Sequence, residues 1–226
     1  IVRAWDAERT TGVRAIIGCR VDLSDGTALL LYPTDRAAYG RMCRLLSVGK
    51  ARAGKGACHL DWPDVEQWNE GLIAILSPDR AVVATETALA RAKRIFGDRT
   101  YLALSVRRRP KDAIRLRDLA ALAAAGRVPT VATNDVLYHA PERRMLQDVV
   151  TCVREKCTID ELGGGRERFA DRYLKAGQEM ERLFRRYPKE ASPVARTLEV
   201  AARCTFNLGE LRYPYPDEIS APGLVP

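Results

Sequence analysis

The sequence predicts a mixed α/β fold followed by a helical region. Three observations support this prediction: short apolar runs alternate with helical patterns over the first 140 residues, the apolar runs are continuous, and only helical patterns follow residue 140. Continuous apolar strands between amphipathic helices are typical of a parallel sheet covered by helices on one or both sides. The pattern fits an open sheet and a closed barrel equally well.

Five apolar runs are the predicted strands. Ser24, Asp25 and Gly26 separate the first two runs and form a turn signal. The later runs are bounded by helical patterns, as expected of strands joined by crossover helices. The predicted strands are residues 15–23, 27–32, 72–76, 101–106 and 128–133.

Helical spacing of apolar residues predicts the helices between these strands. Thr34 can cap the first, which continues through Val48, and the basic, glycine-rich stretch 49–56 is a predicted loop. Gly126 ends a later helix at a position where a left-handed cap residue is favoured. The predicted helices are residues 2–12, 34–48, 61–69, 78–96 and 111–125.

The pattern after residue 140 is helical only. Pro141 starts a helix that continues through Val153. A second helix is predicted over 193–204, with Val194, Leu198, Ala201 and Ala202 on the side that faces the interior. We therefore divide the chain into an α/β region, 1–140, and a helical region, 141–226. A further helix is predicted over 176–187, and the apolar residues of the Pro141 helix share one face: Met145, Leu146, Val149, Val150 and Val153.

Composition excludes several classes of protein. The 226 residues are 46% hydrophobic and 29% charged, which excludes a disordered tail or a fibrous repeat. No apolar run reaches the roughly 18–20 residues of a membrane span, and the first residues do not resemble a signal peptide. The six cysteines lack CxxC spacing, so reduced thiols are expected. We expect a cytoplasmic protein without membrane partners. The lack of an initiator Met and the Pro/Gly-rich stretch 220–226 predict that the sequence is a fragment.

Residues for catalysis are scarce. His59 and His139 are the two histidines, and neither has metal-ligand spacing. No GxSxG, Cys/His or phosphate-loop signature is present. The net charge of +8 favours polyanionic partners such as nucleic acid. Two basic clusters can contact phosphates or can be solvated loop residues: Lys50, Arg52 and Lys55, and Arg107, Arg108, Arg109 and Lys111.

Several segments carry a family resemblance in the correct order. Three segments resemble the polymerase and histidinol phosphatase (PHP) domain of bacterial C-family DNA polymerases. They are VPTVATNDVLYHAPERRMLQDVVTCVREKCTIDE (128–161), YLKAGQEMERLFRRYP (173–188) and TLEVAARCTFNL (197–208). Residues 22–56, the NDVLYHAPERR segment and LRYPYPDE (211–218) are most similar to the error-prone, damage-inducible branch. The resemblance covers nearly the whole chain.

This resemblance implies a partial distorted (β/α)7 barrel of the PHP type, followed by a small helical region. Metal-bearing relatives have a trinuclear site at the strand ends, but here Arg20 replaces a glutamate, and Ala28 replaces a histidine. Ala103 falls near the position of another glutamate, and Leu137 replaces the histidine partner of Asp135. Because one carboxylate cannot hold a metal cluster, we expect Asp135 to be at most a vestigial ligand, now a turn or cap residue.

The resemblance further implies an N-terminal fragment of an error-prone DNA polymerase that acts in damage-induced mutagenesis and translesion synthesis. The fragment is expected to be a scaffold without a catalytic site or cofactor of its own, leading towards the palm domain, which holds Mg²⁺. The expected partners are template-primer DNA, dNTPs, the palm and thumb domains of the same chain, other mutagenesis proteins and a sliding clamp. The alternatives are a stand-alone PHP-type metal-dependent phosphoesterase and a non-enzymatic nucleic-acid-binding module.

Overall fold

One five-stranded sheet organises the part of the chain that the computed structural model describes, residues 1–163, 169–186 and 192–212. The strands lie side by side in chain order. The first two pairs are antiparallel and the last two are parallel. The strands are β1 (Cys19–Asp22), β2 (Ala28–Pro33), β3 (Leu72–Leu76), β4 (Thr100–Ser105) and β5 (Thr130–Thr133).

The turn between β1 and β2 explains why the sheet is mixed rather than parallel as the pattern predicted. The Leu23 amide donates to the Thr27 carbonyl at 2.8 Å, and the Asp25 carboxylate accepts from the Thr27 amide at 2.8 Å. Gly26 adopts φ +82°, in the left-handed region that favours glycine. A turn this short joins only antiparallel strands, so β1 and β2 form a hairpin.

The sheet is open across the described residues. β1 and β5 are its outer strands, and no strand pairing joins them. The α/β class is therefore confirmed, whereas the partial PHP-type barrel stays a prediction.

Eight helices of the described part accompany the sheet, and none of them is long and apolar enough to cross a membrane. One helix precedes the sheet, four lie between its strands and three follow β5, in the order that the helical spacing predicted. The helices are α1 (Val2–Thr11), α2 (Arg36–Arg52), α3 (Trp62–Gln67), α4 (Val83–Phe96), α5 (Asp112–Ala125), α6 (Arg144–Glu155), α7 (Gly177–Phe184) and α8 (Ala195–Arg203).

Both faces of the sheet are buried. In β3, Leu72, Ala74 and Leu76 belong to one apolar cluster, whereas Ile73 and Ile75 belong to the other. Residues of α2, α4 and α5 complete the first cluster, and α8 covers the second face. This arrangement confirms helices on both sides and explains why the strands are continuously apolar.

Helix α2 extends beyond its predicted end and takes in the start of the predicted loop 49–56. Gly49 is buried against Cys58 and Leu60, and a β-carbon at this position would lie 2.6 Å from Cys58 Sγ. The Gly49 carbonyl accepts from the His59 amide at 2.9 Å. Glycine therefore serves close packing here, not a turn, and the helix continues to Arg52.

Two other helix ends differ from the prediction. The helix expected from residue 78 begins at Val83, because Asp79 is engaged in ion pairs with Arg107 and Arg109 ahead of the helix. At the end of α5, Gly126 has φ −76°, and the left-handed conformation falls instead on Arg127, with φ +51°.

The inward face predicted for α8 is partly wrong. Leu198 and Ala202 are exposed, whereas Val200 is buried against the second face of the sheet. The helix is fixed by polar contacts at the sheet: the Ala132 amide donates to the Pro193 carbonyl at 2.8 Å, and the Tyr101 hydroxyl donates to Glu199 at 2.6 Å. These contacts set a helix rotation that apolar spacing alone did not indicate.

Candidate functional site

The carboxyl ends of β3, β4 and β5 meet at one edge of the sheet, and β1, which runs in the same direction, ends there too. Charged residues lie near these strand ends: Arg20 inside β1, Asp79, Arg107 and Asp135 after β3, β4 and β5, and Arg172 from a later segment. We call this set the strand-end cluster; its members are Arg20, Asp79, Arg107, Asp135 and Arg172. It occupies the position where α/β proteins commonly place a ligand.

Asp135 is the centre of the strand-end cluster. Arg172 donates to its carboxylate at 2.6 Å and to its carbonyl at 2.9 Å. Arg107 lies 3.7 Å and Arg20 lies 3.9 Å from the same carboxylate. Asp135 also adopts φ +47°, a left-handed conformation that Asp tolerates better than most residues. Three guanidinium groups therefore surround one carboxylate at a turn.

A second carboxylate, Asp79, extends the network. It lies 3.1 Å from Arg107 and 3.3 Å from Arg109. Burial lowers the pKa of the Arg107 guanidinium, and the nearby Asp79 opposes this effect. The hydrogen bond from Arg20 to Asp22 raises the pKa of Arg20. A cavity of about 410 Å³ lies beside these residues and includes Arg20, Arg107, Arg109 and Asp79 in its wall.

This donor set does not fit a metal cluster. A dication at the Asp135 carboxylate would face three guanidinium groups within 3.9 Å of the same oxygens. Two like unit charges about 4 Å apart repel by about 4 kcal/mol at an effective dielectric of about 20, and a dication doubles that value. Within residues 1–163, 169–186 and 192–212, no three His, Cys, Asp or Glu side chains converge to hold an ion.

The other positions that the resemblance assigned to lost ligands lie in different environments. Ala28 is buried at the start of β2, opposite Asp22, and Ala103 is buried inside β4 on the second face of the sheet. Leu137 is exposed after β5. None of these side chains supplies a metal ligand. The structure pairs Arg20 with Asp135 and places Ala28 in the wall of the same 410 Å³ cavity as Arg20.

A chain segment that we call the 171–175 segment closes the cluster from outside the sheet. The Leu137 amide donates to the Arg172 carbonyl at 2.8 Å, and the Leu174 amide donates to the Tyr138 carbonyl at 3.0 Å. Arg108 pairs with Asp171 at 3.2 Å. The segment is thus fastened to the end of β5 by backbone hydrogen bonds and to the β4–α5 connection by charge.

Most of the predicted phosphate-binding residues are already paired with carboxylates. Arg52 donates to Asp64 at 2.6 Å and 2.8 Å, and Arg107, Arg108 and Arg109 are in the contacts described above. Lys50, Lys55 and Lys111 have no ion pair with any residue in the described ranges. Lys50 lies in α2, and Lys111 adopts φ +65° as it caps α5. Whether any of these residues binds nucleic acid stays a prediction.

The cysteines show no sign of a nucleophilic site. All six are unbridged, as the spacing predicted. Burial raises the pKa of the Cys19 thiol to about 11, and burial also raises the pKa of Cys204. Because the thiolate is the reactive form, these thiols are poorly suited to catalysis.

Sequence reasoning missed two members of the cluster, Asp79 and Arg172. Arg172 lies 37 residues after Asp135 in the chain, and no spacing rule links the two. Asp79 was interpreted as the start of a helix. Its position directly after the continuous apolar run of β3 is the signal that could have placed it at the strand ends.

Comparison with known proteins identifies the relatives of this chain. No protein-family model matches it. It is 58% identical over 224 residues to error-prone DNA polymerase 1 and 53% identical over 223 residues to error-prone DNA polymerase 3, both of Agrobacterium fabrum. Over nearly its whole length, the chain is similar to proteins named error-prone DNA polymerase. The error-prone DNA polymerase of Caulobacter vibrioides is 45% identical over 227 residues, so the similarity extends to a more divergent polymerase of this group.

The alignments cover 99% of this chain but 20% of each of these error-prone polymerases. The strand-end cluster and all five strands lie within the aligned length. The family resemblance read from the sequence is therefore confirmed.

Proposed function

We propose that this chain is a structural segment of an error-prone DNA polymerase in which arginines take the place of a metal cluster. The observation that carries the proposal is the Asp135 carboxylate, which three guanidinium groups surround at the strand ends of a chain 58% identical to such a polymerase. Guanidinium groups bring the positive charge that balances a carboxylate, but they supply no Lewis acid and activate no water. The segment is thus a degenerate PHP-type domain that holds shape and does no chemistry.

The parent polypeptide, on this proposal, adds deoxynucleotides to a primed DNA template in the cytoplasm during damage-induced synthesis. Mg²⁺ is held by carboxylates of a palm domain outside this chain and supplies charge stabilisation for nucleotidyl transfer. Arg172 ties the helical region to the strand ends through Asp135 at 2.6 Å, and this connection holds the segment rigid beside the palm. A sliding clamp and other mutagenesis proteins are further partners in this proposal.

Primer extension by the full-length polypeptide tests this function. The wild type is expected to copy a primed template that contains a lesion, and Asp135→Asn is expected to retain the extension rate at 20 °C within about twofold. Because the variant loses a clustered ion pair, the unfolding of this segment should shift to lower temperature, by about 2–4 °C per kcal/mol lost for a domain of 150–250 residues. Asp118→Asn, at an exposed pair with Arg117, is the matched control and should change neither quantity.

Two results would contradict the proposal. Absence of template-directed synthesis would remove the parent activity. Release of phosphate from a phosphomonoester by the wild type, abolished in Asp135→Asn, would show that the strand-end cluster is catalytic and would favour the stand-alone phosphoesterase.

A specific observation also favours a DNA-contacting role for this edge of the sheet. Gly49 in α2 packs against Leu60, and the Leu60 carbonyl accepts from the Ser24 amide of the β1–β2 turn at 3.0 Å. The same turn lines the cavity beside Arg107 and Arg109. Arg107 and Arg109 therefore line this edge, and the turn of α2 that carries Lys50 and Arg52 packs, through Gly49 and Leu60, next to it. A lysine ammonium is a point charge suited to phosphate contact.

The salt dependence of DNA binding tests this second role. Replacing Lys50, Lys55 and Lys111 together by Gln should reduce the slope of log affinity against log salt by about 2–3 in the full-length protein, since each phosphate contact contributes about 0.7–0.9. A charge-matched control replaces Arg3, Arg117 and Arg154 by Gln. Equal slopes for the two variants would show that net charge alone matters.

A further inference from the structure

The outer face of α6 is apolar and uncovered among the described residues. Its side chains recur at helical spacing and are 44–75% exposed. They form one stripe along the 12-residue helix. We call this stripe the α6 face; it consists of Met145, Leu146, Val149, Val150 and Val153.

The opposite side of α6 is polar, which inverts the usual arrangement of a helix on a globular protein. Asp148 and Cys152 are its buried residues, and Asp148 accepts a hydrogen bond from Arg144 at 3.1 Å. This ion pair lies within the helix, so the buried side of α6 carries a carboxylate and a thiol while its apolar side faces outward.

The apolar surface continues beyond the helix. A groove of about 290 Å³ runs along its first turns and is lined in part by Leu137, Leu146 and Val150. Val136 and Leu174 are exposed near the same end. Contiguous apolar surface of this kind marks an interaction site rather than ordinary exposed residues.

We propose that the α6 face is an intramolecular docking surface for the part of the full-length polymerase that lies outside this chain. This inference rests on the proposed function, since the aligned relatives are about five times as long as the chain, which covers 20% of them. A stable interface between separate proteins buries roughly 800 Å² per partner, whereas the α6 face is a single helix stripe of five side chains. Covalent connection removes that requirement, because it gives the two surfaces a millimolar effective concentration.

The occupant is identified by its chemistry. It presents an apolar helix or sheet face, because the α6 face carries no charged residue across its length. Arg143 and Lys156, both exposed, lie at the two ends of the helix and favour carboxylates at the rim of the partner surface.

Methionine oxidation in the full-length protein tests the proposal, because this segment contains its own probes. Met145 belongs to the α6 face, whereas Met42 is 3% exposed in the core. Sulfoxide formation follows the accessibility of the sulfur. With hydrogen peroxide and peptide mass spectrometry, Met145 should oxidise at least about tenfold more slowly in the native protein than in guanidinium, at a rate close to that of Met42.

A variant pair makes the test specific. Val149→Asp with Val153→Asp should speed Met145 oxidation at least about fivefold while Met42 stays protected, which shows that the core remains folded. Val83→Asp, at a 78% exposed position in α4, is the matched control and should leave Met145 protected.

Two outcomes would overturn the inference. Native Met145 that oxidises as fast as in guanidinium would show an open face. Protection that disappears on dilution, together with dimer dissociation in sedimentation, would identify a second copy as the occupant. Primer extension by the same preparations keeps the two proposals apart: a protein that copies DNA with an open α6 face contradicts this inference alone.

Discussion

The sheet interior and its strand-end edge hold this molecule together in different ways. In the interior, leucine, isoleucine and alanine side chains of β3 and β4 pack against helices on both faces. At the edge, the strand-end cluster joins connections after three strands and the 171–175 segment by ion pairs of 2.6–3.9 Å. Apolar burial is nondirectional and strong, whereas partly exposed ion pairs are weaker and depend on exact geometry.

On the proposed function, this difference explains how an α/β domain could keep its architecture without a metal site. The core does not depend on which charges occupy the strand ends. A cluster of guanidinium and carboxylate groups can close the same edge without a metal, provided that every carboxylate has a cationic partner. Three perturbations separate the contribution of the core from that of the strand-end cluster.

Truncation in the interior should have the largest effect. Leu102 is fully buried in the first apolar cluster, so Leu102→Ala should lower the free energy of unfolding by about 2–5 kcal/mol. Denaturant unfolding followed by circular dichroism measures this change. The control is Leu198→Ala, at an exposed position in α8, which should change stability by less than about 0.5 kcal/mol. A small effect at Leu102 would mean that burial does not dominate the interior.

Neutralising the centre of the strand-end cluster should have an intermediate effect. Asp135→Asn keeps the volume and the left-handed backbone but leaves Arg20, Arg107 and Arg172 without a shared carboxylate. We expect a loss of about 1–2 kcal/mol, because the pairs are partly exposed. The loss should shrink in 1 M salt, measured by the same unfolding experiment. A loss that is independent of salt would assign the effect to backbone geometry instead.

Acid should reveal the smallest of the three effects. Hydrogen bonds from Arg52 lower the pKa of the Asp64 carboxyl. Because the folded-state pKa lies below the unfolded value of about 3.9, this stabilisation is complete above that pH and is lost as the pH falls through the folded value. Arg52→Gln should therefore flatten the fall in unfolding free energy below about pH 4. Leu102→Ala should instead lower the whole curve without changing its slope.

The sequence pattern located the strands and most helices because burial on both sides of a sheet makes a strand continuously apolar. The run Leu72–Leu76 is an example, and its predicted bounds match β3. The hairpin turn at Gly26 could be read from residue types alone. The rotation of α8 could not, because Tyr101 and Pro193 set it through long-range contacts.

The candidate site was only half accessible to sequence reasoning. Arg20 and Asp135 came from the resemblance, since each occupies a position that the family pattern assigns. Arg172 and Asp79 came from the tertiary structure, which brings residues from separate connections to one edge. The exposure of the α6 face was equally hidden, because an apolar stripe indicates a packing surface but not which partner covers it.

Manganese binding tests the central claim most directly. The strand-end cluster is expected to bind no Mn²⁺ in titration calorimetry up to about 1 mM, because three guanidinium groups already surround Asp135. Binding of two or three Mn²⁺ per chain, lost in Asp135→Asn, would contradict the account.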